Sequence, residues 1–124
     1  MAEEDTYDRY RRGMDLLQRG DFHAALIQLG EVRQREPDKD SVREAYGRAL
    51  FGTQRLDEAA EEFAAVAEHD PTNHYALFCL GRSLQQLGRH EDARAPLTQA
   101  LHLAPDRDDY RRYLAETLKR SDAA

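Results

Sequence analysis

The chain has 124 residues, enough for one domain and too few for two ordinary ones. Its formal net charge of −6 argues against a broad nucleic-acid interface, which depends on a basic face. A lone cysteine, Cys79, excludes an internal disulfide and fits a reducing compartment, and no apolar run approaches the ~20 residues that span a bilayer.

The first five residues are acidic, with no apolar segment behind them, so they do not read as a signal peptide but as a short flexible end. Together these features imply a soluble, cytoplasmic protein. Beyond them, apolar residues follow the helical period of about 3.6 and predict a helix over 6–19. Arg19-Gly20-Asp21 breaks it, glycine being suited to the left-handed residue that ends a helix. A second helix over 22–35 stops before Pro37, which cannot easily extend it. The pattern then starts again: helices over 40–53 and 56–69, up to Pro71, then 74–87 and 90–103, up to Pro105. The middle turn, Thr53-Gln54-Arg55, lacks the glycine of its counterpart Leu87-Gly88-Arg89. Polar residues at 38–41, 72–73 and 106–108 are cap candidates. A seventh helix over 107–119 carries Tyr110, Leu114 and Leu118 as one apolar stripe, and 120–124 reads as a frayed tail.

Pro37, Pro71 and Pro105 are 34 residues apart, as are Gly13, Gly47 and Gly81, Leu16, Leu50 and Leu84, and Ala25, Ala59 and Ala93. Such a shared period is an internal repeat, with units of about 6–39, 40–73 and 74–107. Glycine inside a helix costs about 1 kcal/mol relative to alanine. Its recurrence predicts a close helix crossing, with Ala25, Ala59 and Ala93 facing the glycines and Ala115 taking the glycine's place in the last helix. Pro96 falls inside the sixth helix and is expected to kink it on the outer face.

These positions resemble the tetratricopeptide repeat family over nearly the whole chain. The third unit matches best, with Leu80-Gly81, Leu84, Gly88, Ala93, Leu97, Ala100 and Pro105. The second gives Tyr46-Gly47, Leu50, Ala59, Phe63, Val66 and Pro71, and the first gives Gly13, Leu16, Gly20, Ala25, Leu29, Val32 and Pro37. The family's frequent tryptophan is replaced by Arg9, Arg43 and Leu77. The resemblance implies an all-α fold: a right-handed superhelix of three helix-turn-helix units closed by the seventh, capping helix. It also implies a non-enzymatic scaffold that binds a peptide or helix of a partner protein in its concave groove.

In such a superhelix the first helix of each unit lines the concave side. Beside the core face, residues spaced three and four apart make a second stripe. It comprises Tyr7, Tyr10, Met14 and Leu17, then Ser41, Glu44, Arg48 and Phe51, then Tyr75, Phe78, Arg82 and Gln85, with Asp109, Arg112 and Glu116 on the last helix. Aromatics and arginine are enriched where proteins bind partners. Arg48 and Arg82 lie one repeat apart, on neighbouring helices about 8–10 Å apart. They suit the carboxylates of an acidic peptide or a free C-terminus. The competing reading gives the aromatics to packing and leaves both arginines solvated or paired with Glu44 or Glu116. Some family members grip acidic heat-shock chaperone tails with a lysine, asparagine and arginine clamp. Tyr10, Met14 and Ala45 stand where parts of that clamp belong, so the resemblance does not extend to that partner. The acidic start, Glu3 to Asp5, is either placed favourably before a helix or folded toward Arg11 and Arg48.

Catalytic chemistry has no footing in the sequence. His69 and His74 fall on different helices, His90 and His102 are about 18 Å apart along one, and His23 is isolated, so no metal site is expected. Cys79 reads as a buried, inert thiol, and no phosphate-binding loop or nucleophile motif occurs. No cofactor is implied. The expected partner is a protein or peptide, with no nucleic acid and no membrane insertion, for a monomer or weak homodimer. A self-associating assembly protein or a small dedicated chaperone is the alternative.

Overall fold

Proline and glycine punctuation divides the chain into seven helices in a computed structural model that describes residues 2–123, with side chains described for 5–121. They are α1 (Ala2–Gln18), α2 (Phe22–Arg35), α3 (Asp40–Gly52), α4 (Leu56–His69), α5 (His74–Gln86), α6 (His90–Leu103) and α7 (Asp108–Ala123). Each helix packs on the next, and the odd-numbered helices also touch one another: α1 with α3, α3 with α5, α5 with α7. Among the described residues the even-numbered helices make no comparable contacts, so the odd ones form the inner, concave layer of a right-handed superhelix.

Helices two to six end within a residue or two of the predicted limits, whereas the two outer ends differ. The expected flexible ends are helical over 2–5 and 120–123. Asp5 explains the first extension, holding Arg9 at 3.0 Å and Arg35 of α2 at 2.9 Å. Ser121 explains the second, its hydroxyl donating to Glu91 of α6. The three turns within repeats all use a left-handed residue: Gly20 at φ 78°, Gly88 at φ 81° and, lacking glycine, Gln54 at φ 66°. Beside Gln54, the Thr53 hydroxyl donates to the Ala49 and Leu50 carbonyls at 3.0 and 3.1 Å and ties off the end of α3. Of the cap candidates, Asn73 accepts a bond from the Ala76 amide at 3.0 Å, while the residue before α3, Lys39, makes no side-chain cap.

The glycine crossings are real, but alanine is not what faces them. A Cβ on Gly13 would lie 2.5 Å from Leu29, one on Gly47 2.9 Å from the Phe63 ring, and one on Gly81 2.5 Å from Leu97. The large side chain one turn after each alanine lies flat against bare backbone, and Ala25, Ala59 and Ala93 are buried beside it. Ala115 is exposed, because no helix crosses α7 on that face. Pro96 is also corrected: it is buried, on the same side of α6 as Ala93, Leu97 and Ala100, and the helix runs through it. Its ring serves as apolar packing there. The stripe of α7 is shifted as well, with Tyr110 and Thr117 fully buried and Leu114 and Leu118 only partly so.

Between repeats, α3 turns Ala45, Tyr46 and Ala49 into a cluster with Ala25 and Leu29 of α2. The same register on α1 carries Arg11, Arg12 and Asp15, all exposed. At α1 the corresponding surface is therefore charged rather than apolar.

Candidate functional site: the concave groove

Six of the residues in the concave stripe converge on one cavity. Leu17, Arg48, Phe51, Tyr75, Phe78 and Arg82 line about 280 Å³ of space open to solvent, with Phe22, Gly52, Phe63 and Cys79 completing the wall. The helices bring them together because α1, α3 and α5 touch along the inner layer. The floor is apolar and the rim carries two guanidinium groups.

The two arginines are held differently. Arg82 lies with its guanidinium 4.0 Å from the Tyr113 ring centre and 6.0 Å from that of Phe51, and it donates to Gln85 Oε1 at 2.6 Å. Gln85 in turn donates to the Tyr113 carbonyl at 3.1 Å and to Thr117 Oγ1 at 2.6 Å. The cap helix therefore aligns Arg82 through Gln85. Arg48 makes no hydrogen bond or ion pair among the described residues. The acids proposed to neutralise the pair are engaged elsewhere: Glu44 accepts from Asn73 at 3.1 Å, and Glu116 pairs with Arg120 at 3.6 Å.

Burial sets the chemistry of the wall. It pushes the Cys79 thiol up to about 12, with only a partial offset from the Tyr75 hydrogen bond and the nearby arginines. The Tyr75 phenol is raised for the same reason, chiefly by desolvation. Both groups stay neutral near neutral pH, so they add no charge to this wall and Cys79 offers little thiolate.

Five predicted site residues lie elsewhere. Tyr7 and Tyr10 line a second cavity of about 540 Å³ beside Val32, Lys39 and Val42, at the junction of the first two repeats. Met14 packs on the first core cluster. Gln85 is only 6% exposed, which corrects its expected place as a groove residue: it positions Arg82 from behind. Arg112 is exposed on α7, 5.1 Å from the Tyr113 ring centre, outside both cavities. Sequence reasoning passed over Tyr113, Thr117 and Phe22. A signal for the first existed, since Tyr113 stands three residues after Tyr110 and so on a neighbouring face of α7.

Of the N-terminal acids, Asp5 does not turn toward Arg48. Asp5, its pKa held below the usual carboxylate range by Arg35 and Arg9, stays against α2, while the Glu3 and Glu4 side chains lie outside the described residues. Among the described residues, no His, Cys, Asp or Glu side chains cluster as metal ligands would, and no helix is long and apolar enough to cross a membrane.

Sequence models described as Tetratricopeptide repeat match residues 10–74 and 63–95. Tetratricopeptide repeat protein 28 of Homo sapiens is 26% identical over 105 residues, which is 85% of this chain and 4% of that protein. The Mus musculus protein of the same name matches equally, so this chain spans a small fraction of these curated relatives. Among solved structures, a MamA structure (MSR-1) is 25% identical with a TM-score of 0.83, covering 92% of this chain and 66% of its own. The Sgt2 TPR domain from Aspergillus fumigatus gives 15% and 0.84, covering 94% and 79%. The first TPR domain of Spaghetti, bound to an HSP90 peptide, gives 14% and 0.86, covering 98% and 95%.

Proposed function

The chain belongs to the tetratricopeptide repeat family, and from that premise we propose that it is a non-enzymatic interaction module that holds a peptide or helix of a partner protein on its concave side. The observation that carries this reading is the pair of arginines over an aromatic-walled cavity, Arg82 prealigned and Arg48 without a partner. An unpaired guanidinium over apolar walls favours a ligand that brings a carboxylate and an apolar side chain together. The volume, about 280 Å³, lies at the small end of ligand pockets and suits one or two side chains of a peptide. Spaghetti's domain holds an HSP90 peptide, a precedent for peptide binding on this fold. Tyr10, Met14 and Ala45 differ from the clamp that grips such chaperone tails, so a different acidic or C-terminal peptide is the expected occupant. We place this activity in the cytoplasm.

The test is affinity capture from host lysate, with wild type beside an Arg48→Glu/Arg82→Glu double variant. Proteins captured by wild type and lost by the variant support the groove. Equal capture by both removes the arginines from the site. A second reading, self-association, is favoured by Tyr7, which is 62% exposed on α1. A dimer that buries Tyr7 with no capture would support it.

A further inference from the structure

The repeat places the same slot three times along the array, and the three slots are filled differently. Each slot lies between the start of one odd-numbered helix and the start of the next. At the last junction it holds a ring from the chain itself. Tyr110 is fully buried there, stacked on Phe78 at 4.3 Å between ring centres, with its hydroxyl 2.8 Å from His74 Nδ1. The Arg107 guanidinium lies 4.3 Å from the ring centre and is held by both oxygens of Asp109 at 3.0 and 2.8 Å. At the middle junction Ala76 replaces the tyrosine, and polar pairs bridge the elements around it: Asn73 with Glu44 at 3.1 Å and His69 with Asp40 at 2.5 Å.

At the first junction the slot is open. Its 540 Å³ cavity is lined by the residues two repeats before those around Tyr110. Tyr10 stands in the place of Phe78, Lys39 in that of Arg107, Ser41 in that of Asp109 and Val42 in that of Tyr110. An aromatic residue and a cation are thus kept in the lining, while the ring and its carboxylate are missing. Lys39 is exposed and has no ion-pair partner among the described residues. Arg35, also on the rim, is taken up by Asp5 at 2.9 Å. Glu36 borders the slot in the place of Ala104, so among the lining cations Lys39 is the one left to meet an incoming acid.

We infer that this first-junction slot receives an aromatic side chain from a partner peptide, preceded by an acidic residue, as Asp109-Tyr110 fills the equivalent slot within the chain. The ring stacks on Tyr10 and the carboxylate meets Lys39. This extends the groove reading, and rests on it only in taking the occupant to be a peptide. The arginine cavity is a separate subsite.

The probe is acetyl-Asp-Tyr-amide, titrated at millimolar concentration into the full chain and followed by amide NMR. Expected are saturable shifts at Tyr10, Lys39 and Val42. Acetyl-Asp-Leu-amide and acetyl-Lys-Tyr-amide should bind more weakly, the latter by about twofold to fivefold, as one exposed ion pair allows. Val42→Tyr should fill the slot from within, abolish the shifts and keep or raise the thermal midpoint. Lys39→Glu changes an exposed residue and should reverse the preference between the Asp and Lys dipeptides, which decides the matter if Val42→Tyr does not fold. Absent or unsaturable wild-type shifts, or binding unaltered by Lys39→Glu, overturn the inference. So does self-association that Val42→Tyr removes while the dipeptide gives no shifts, since the occupant is then a second copy. The Arg48→Glu/Arg82→Glu variant should titrate as wild type. Lost dipeptide binding with arginine-dependent capture intact sinks the slot alone, and the converse sinks the arginine groove alone.

Discussion

The first and last junctions of the array share one backbone plan and differ in what secures them. At the last, a fully buried tyrosine, an aromatic stack and the Gln85–Thr117 bond join α7 to α5. At the first, an open cavity lies beside the contact of α1 with α3, and on its rim the half-exposed Arg35–Asp5 pair joins α2 to α1. Surface pairs of that kind contribute little, because water screens them, whereas a large buried aromatic contributes several kcal/mol. The cap end is therefore filled by a buried ring beside the residues that align Arg82, and the opposite end leaves the equivalent space open.

The sharpest test of that contrast compares Tyr110→Ala with Tyr10→Ala in urea unfolding. Tyr110→Ala is expected to cost about 3–5 kcal/mol, as large aromatic truncations in cores do. Tyr10→Ala, at the open slot, should cost less than half as much, and equal losses would break the contrast. Gly47→Leu comes next, at about 3 kcal/mol, because its side chain would occupy the place of the Phe63 ring. The same change at Gly13, on the end with the open slot, should cost less than at Gly81. A smaller effect, of opposite sign, is expected at the middle turn. Gln54→Gly relieves a left-handed residue at φ 66° and should raise stability by up to about 1 kcal/mol in the same measurement.

The smallest effect concerns pH at the middle junction. The Asp40 carboxylate beside His69 raises the imidazole above its usual value. A raised folded-state pKa favours folding fully below the unfolded value of about 6.5, and that contribution fades as pH climbs through the folded value. The bridge from α4 to α3 should thus loosen from about pH 6.5 upward. An NMR titration of the His69 ring checks this: its midpoint should lie above 6.5 and fall back toward about 6.5 in Asp40→Asn.

Much of this architecture was legible in the chain itself. A period of 34 at glycine and proline sets helix limits, because those residues act locally on the backbone. What recurs, however, is a column of residues, and a column does not say which other column it faces. Hence the glycines were matched to alanines, when Leu29, Phe63 and Leu97 lie across them. The convergence of Arg48 and Arg82 on one cavity follows from their shared register. Gln85 belongs to the same stripe, in the register of Leu17 and Phe51, yet it turns inward, because Thr117 offers a hydroxyl that only the cap's packing places there. Polarity read along one helix could not reveal that partner. Pro96 misled for a related reason: its missing donor suggested an outward kink, while its apolar ring made it useful on the buried face.

The charged outer face of α1 bears on how such an array can lengthen over evolutionary time. A repeat copied in front of α1 would meet Arg11, Arg12 and Asp15 where α3 offers Ala45, Tyr46 and Ala49. A copy of residues 40–73 inserted between the second and third units would present Ala45 and Tyr46 to an α4-type surface and Ala60 to α5, finding matched neighbours on both sides. A repeat added within the array would thus find apolar packing partners that one added before α1 would lack.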